Sequence, residues 1–247
     1  MNQFKIRCSA IGEIMAKPGE DKLPVGAITY IKKWVKEQRE FYNRRTEFTS
    51  KYTEKGKHVE DDAIDLAADH FGWGMVSKNK RRVSNDFMEG EPDIVLSNSI
   101  EDIKASWSHD TFPLFETKLP EKDYEWQLLG YMELFNKDNA GVNYCLMDAP
   151  DNIVEAEARK KMYANGMIEL EADFYDQVKA SMTYSHLPTW LRVKRFQLYR
   201  DDVAIQQIKR RVELCREYID NLIIPMPQPI ILAEYIKQDN ITLIQTA

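Results

Sequence analysis

Between residues 92 and 104 the chain reads Pro92-Asp93-Ile94-Val95-Leu96-Ser97-Asn98-Ser99-Ile100-Glu101-Asp102-Ile103-Lys104. Two short runs containing β-branched residues flank a Ser-Asn turn, so strands are expected over 93–96 and 99–104. Pro92 sits at a strand entry, where its missing donor costs little. Alternation puts Asp102 and Lys104 on one face of the second strand, and Glu101 and Ile103 on the other. If the two strands pair through the turn, Asp93 and Asp102 approach each other. Close carboxylates repel unless a cation lies between them. Mg²⁺ suits such a place, because it takes oxygen ligands and keeps several waters. Lys104 could then point at a water on that ion, orienting or deprotonating it and offsetting charge on a phosphate.

Working outward, residues 54–71 carry Val59, Ala63, Leu66, Ala67 and His70 at three- and four-residue steps, which predicts a helix closed by Gly72 and Gly74. It brings a third acid, Glu60, with Asp61 and Asp62 directly after it as alternatives, and Gly56 one turn earlier leaves room for close approach. A strand is expected over 82–88, giving with the other two an antiparallel meander. A loop over 106–120 leads to a helix over 123–135 with apolar residues around nearly its whole circumference. On that helix Gln127 and Tyr131 lie four apart on one face, and buried polar groups of this kind need partners. A strand over 141–147 and an amphipathic helix over 152–163 follow. The order is mixed α/β, with one strand–helix–strand crossover.

Helices are also expected over 28–48, 171–184 and 201–222, and an alternating strand over 190–199; Pro225, Pro227 and Pro229 end the last helix. No repeat, low-complexity tract or clear linker divides the chain. We therefore expect one domain over 1–247, its core at about 54–163, with elaborations at both ends.

At 247 residues, 43% hydrophobic and 30% charged, the chain can bury a sizeable core. No apolar run approaches the length of a membrane span, and the first residues lack a secretory pattern. Cys8, Cys145 and Cys215 are far apart with no CxxC, which argues against a disulfide framework, a zinc ribbon or a cysteine-held cluster and for a cytosolic protein with reduced thiols. The net charge of −6 argues against coating of nucleic acid by bulk attraction, although local basic stretches such as 78–82 remain. His58, His70, His109 and His186 show no zinc spacing, and no Gly-x-Ser-x-Gly elbow is present. Trp107 to Pro113 places aromatics beside the acids, where they could stack on bases or simply pack the loop.

Taken in order, Gly56-x-x-x-Glu60, Pro92-Asp93, Asp102-Ile103-Lys104 and Gln127-x-x-x-Tyr131 resemble the PD-(D/E)XK nuclease superfamily, in its RecB-like and YqaJ-type phage exonuclease branch. The matched stretch runs from about 56 to 147. The resemblance implies a restriction-endonuclease-like core, a mixed central sheet flanked by helices. It implies Mg²⁺ or Mn²⁺ held by Glu60, Asp93, Asp102 and the Ile103 carbonyl, with Lys104 assisting the attacking water and Gln127 and Tyr131 shaping the site and contacting DNA. Ser9, in Ser9-Ala10-Ile11-Gly12-Glu13-Ile14-Met15, resembles the serine-led element that meets DNA in phage exonucleases. The implied activity is hydrolysis of DNA from duplex ends in recombination, alongside a single-strand-annealing partner. A homo-oligomeric ring and the cytoplasm of a bacterial host are further implications. Two rivals stand beside it: an endonuclease for particular sites or branched structures, and a non-catalytic DNA-binding or assembly protein with the same fold. The intact Asp93, Asp102 and Lys104 count against the last.

Overall fold

The computed structural model describes residues 3–17, 21–38 and 50–222. The 39–48 part of the first predicted helix and the proline-rich stretch from Pro225 lie outside them. The order of elements is β1 (Ile6–Arg7), α1 (Ile11–Ile14), α2 (Val25–Gln38), α3 (Lys51–Phe71), β2 (Val83–Ser84), β3 (Met88–Gly90), β4 (Ile94–Val95), β5 (Ser99–Ser106), α4 (Lys122–Phe135), β6 (Asn139–Leu146), α5 (Asp151–Ala164), α6 (Ala172–Ala180), β7 (Val193–Tyr199) and α7 (Asp202–Asp220).

The main sheet has the order β4-β5-β6-β7: β4 and β7 run antiparallel to their neighbours, and β5 and β6 are parallel through the α4 crossover. It is thus the mixed α/β arrangement that the residue pattern predicts. β6 is buried along nearly its whole length, as a central strand covered on both faces should be. On one face, Val59, Ala63, Ile64 and Ala67 of α3 pack on Ile94, Ile103, Cys145 and Val193. On the other, α4 and its neighbours α1, α2 and α7 pack on Ile100, Ala140, Val142, Tyr144 and Phe196. No helix among the described residues is long and apolar enough to cross a membrane.

The expected meander is divided. β2 and β3 form a hairpin in a second, three-stranded sheet with β1, which pairs parallel to β3. The run 82–88 is not one strand because the Asn85 side chain accepts from the Phe87 and Met88 amides at 2.8 and 2.9 Å, a local turn that competes with extension. α3 begins three residues earlier than predicted, where the Ser50 hydroxyl caps the Thr53 amide at 3.2 Å, and it ends at Gly72 with φ 68°, as its sequence suggests.

Candidate active site

β4 and β5 pair with Ile94 opposite Glu101, so one step further along the register Asp93 lies across from Asp102. Asp93 Oδ2 accepts the Ile103 amide at 2.7 Å, which ties the loop before β4 to the centre of β5. Burial, and then the Asp102 charge, push the Asp93 carboxyl up to about 7.

Asp102 is almost fully buried. Its Oδ1 accepts from Gln127 Nε2 at 2.8 Å, and the same amide reaches the Tyr131 hydroxyl at 3.2 Å. Tyr131 in turn donates to the Glu91 carbonyl at 3.4 Å. The i, i+4 pair on α4 thus orients the carboxylate from behind, and both side chains are buried. Asp102 Oδ2 forms an ion pair with Lys104 Nζ at 2.7 Å, yet no donor meets it in hydrogen-bond geometry. Lys104 also lies 4.7 Å from the centre of the Tyr124 ring. Burial alone would lower the lysine pKa, but the Asp102 carboxylate outweighs it and the net shift is upward. Lys104 is therefore an ammonium at neutral pH, suited to holding charge beside a phosphate rather than to taking a proton.

Glu101, the other acid of the pair, belongs to the opposite face. It is buried and accepts from Ser99 Oγ at 2.7 Å, Asn143 Nδ2 at 2.9 Å, and Arg195 Nη2 and Nε at 2.8 and 3.0 Å. Gly141 makes room for this cluster: a Cβ there would stand 2.4 Å from Glu101 Oε2 and 2.6 Å from Arg195 Nε.

Glu60, Asp93, Lys104, Tyr124 and Tyr144 line one cleft of about 540 Å³. The Glu60 carboxylate is engaged by Lys78 Nζ at 2.5 Å. Among the described residues, no three His, Cys, Asp or Glu side chains stand ready to share one metal ion. Asp93 and Asp102 nonetheless fit a hard divalent cation: both offer oxygen, and their mutual repulsion, which raises the Asp93 carboxyl, is only partly offset by the one nearby ammonium of Lys104. Ser9 is exposed on a turn of 3₁₀ helix, Cys8–Ala10, which packs against α4; it does not line the cleft.

Two residues of the site escape the motif reading. Lys55 is buried, and its Nζ donates to the Ser106, Trp107 and Met147 carbonyls at 3.1, 2.9 and 2.8 Å, fastening α3 to the ends of β5 and β6. Its place four residues before Val59 on the apolar stripe is the signal that could have found it. The Tyr144 hydroxyl, in the register position beside Lys104, is buried without a partner.

No family model and no curated protein matches the chain by sequence. Among solved structures, a phage-related exonuclease from Haemophilus somnus 129PT superposes with a TM-score of 0.72 at 27% identity, over 89% of this chain and 95% of that one. This is a PD-(D/E)XK phage-exonuclease fold. An alkaline exonuclease, LHK-Exo, from Laribacter hongkongensis shares the fold at a TM-score of 0.58 and 14% identity, over 88% and 92% of the two chains. That enzyme is also known in complex with dAMP, at a TM-score of 0.57 and 15% identity. Within this nuclease fold, Asp93 opens the β4 edge, Asp102 and Lys104 share the α4 face of β5, and Gln127 approaches from the crossover helix.

Proposed function

We propose that the chain is a divalent-metal-dependent deoxyribonuclease, an exonuclease that hydrolyses DNA from duplex ends. The observation that carries this is the convergence of Asp93, Asp102 and Lys104, with Gln127 holding Asp102 from behind. Likeness to the phage-related exonuclease over most of both chains supports it. Mg²⁺, or Mn²⁺ in its place, would be held by Asp93 and Asp102, joined by the Ile103 carbonyl and by Glu60 once Lys78 releases it. Such an ion supplies Lewis-acid stabilisation of the phosphate and makes water a better nucleophile at neutral pH.

The rest falls to the chain's own side chains. Lys104 keeps a positive charge where the phosphate gains negative charge. Gln127 and Tyr131 hold Asp102 in one orientation, so little reorganisation accompanies the reaction. Water oxygen adds to phosphorus, the bond to the leaving sugar oxygen breaks, and a phosphate monoester and a hydroxyl end result. Ser9 remains a candidate DNA contact outside the cleft. Recombination alongside a single-strand-annealing protein, ring-like oligomerisation and a bacterial host's cytoplasm complete the proposal.

The test is cleavage of end-labelled linear duplex and covalently closed circular DNA, in Mg²⁺ and in EDTA, beside Lys104→Ala. Loss of linear DNA alone, dependent on both metal and Lys104, is expected. Cutting of the circle would replace the exonuclease reading with an endonuclease, and binding without cleavage in Mg²⁺ or Mn²⁺ would overturn the enzyme reading.

A further inference from the structure

The cleft extends beyond the acids along α3. Tyr52, Gly56 and Glu60 lie at i, i+4 and i+8, on one face of that helix, and all three line the cleft. Eight residues of helical rise separate Tyr52 from Glu60 by about 12 Å. Gly56 is the unexpected member. Glycine inside a helix is destabilising relative to alanine, and its φ here is ordinary, so the backbone does not require it. Nor does packing: among the described residues, apart from its chain neighbours and the adjacent helix backbone, no atom lies within 4 Å of the place where a Cβ would stand. The gap is kept open toward the cleft and not toward the protein.

Beside the gap, Tyr52 is 58% exposed and lines the cleft. It meets Trp107 edge-on, with centroids 5.1 Å apart and planes at 71°. Lys51 Nζ lies 4.5 Å from the Trp107 ring centre and 5.4 Å from that of Tyr52, and is itself held by Glu157 at 3.0 Å. The two rings thus meet at an angle at the cleft wall, Tyr52 on the same helix as Glu60. Gly56 leaves open space beside α3 between Tyr52 and Glu60.

We propose that Tyr52 and Trp107, reached past Gly56, form a subsite for one unpaired nucleobase of the strand being cut. This rests on the nuclease reading above and deepens it. Stacking on the ring grips the strand without reading its sequence, because every base has a flat face. A strand held here and at the carboxylates is fixed at two points, which presents one phosphate to the acids at a time.

The experiment uses end-labelled linear duplexes carrying a single abasic residue at successive positions from the end, in either strand. Wild-type enzyme is expected to slow about tenfold when the abasic residue reaches the subsite, within the range that base–aromatic stacking supplies. Tyr52→Ala should slow on intact DNA by a similar factor and show no further slowing at the abasic position, while Tyr52→Phe, which keeps the ring, should retain the slowing at the abasic position. Gly56→Ala should melt at a higher temperature than wild type, yet cleave at least tenfold more slowly. If wild type cleaves but ignores abasic residues, or if Tyr52→Ala and Gly56→Ala cleave as wild type does, the subsite is refuted and the nuclease reading stands. If wild type cleaves nothing in Mg²⁺ or Mn²⁺, both fall together.

Discussion

Replacing Asp93 by asparagine should make the protein more stable and inactive. The Asp93 carboxyl is raised from 3.8 to about 7, by burial first and by Asp102 second, while the Ile103 amide and Lys104 oppose the rise. The rise is about three units, and at about 1.4 kcal/mol per unit its ceiling is about 4 kcal/mol. Residual solvent at the cleft lowers this to about 2–4 kcal/mol. Because the folded value lies above the unfolded one, the native state keeps a proton between about pH 4 and 7 that the unfolded chain has released. Stability therefore falls as pH rises through that window, and the full cost is present above pH 7. Asparagine carries no charge and can still accept the Ile103 amide. Asp93→Asn should thus melt roughly 5–15 °C above wild type at pH 8 in EDTA, with the difference closing toward pH 4. Thermal melts followed by circular dichroism at pH 4, 6 and 8 measure it directly. Adding Mg²⁺ should then raise the wild-type melting temperature and leave the variant's nearly unchanged. A variant that melts at or below wild type at pH 8 in EDTA refutes the reasoning.

Two further perturbations probe the support of the site. Arg195→Ala leaves Glu101 buried without its countercharge and should cost about 3–5 kcal/mol, whereas the double change Glu101→Leu with Arg195→Met should recover most of it in chemical denaturation; a single variant as stable as wild type would show the pair to be dispensable. Tyr144→Phe removes a buried hydroxyl that has no partner and should raise stability by about 1 kcal/mol in the same assay, a loss of that size counting against the assignment.

Much of the candidate site is local in sequence, which is why it can be read there. Alternation along β5 separates Asp102 and Lys104 from Glu101, and helical spacing along α4 joins Gln127 to Tyr131. The turn at Ser97 and Asn98 brings Asp93 across from Asp102. What escapes the sequence depends on contacts between distant segments. Nothing near Glu60 announces that Lys78 will hold it, and nothing near Glu101 points to Arg195, 94 residues away. Lys55 reads as one more surface lysine until three carbonyls at the ends of two strands close around it. β1 is two residues long and exists because β3 offers it an edge. The split of 82–88 is local, but it turns on one asparagine side chain, which hydropathy patterns do not register.

The tandem acids of β5 carry a consequence for how the strand can go wrong. Glu101 and Asp102 differ by one methylene, and a slip of one position would exchange their faces. The misthreaded strand would still offer a carboxylate to the cleft and another to Arg195, so charge alone scarcely distinguishes the two frames. Length and empty space do. The longer glutamate reaches the guanidinium at 2.8 Å, and it does so beside the volume that Gly141 leaves unfilled. An acid on the back of the sheet, outside the candidate site, thereby sets the frame in which the front is read. Exchanging the two residues, although it conserves composition and charge, would remove that punctuation.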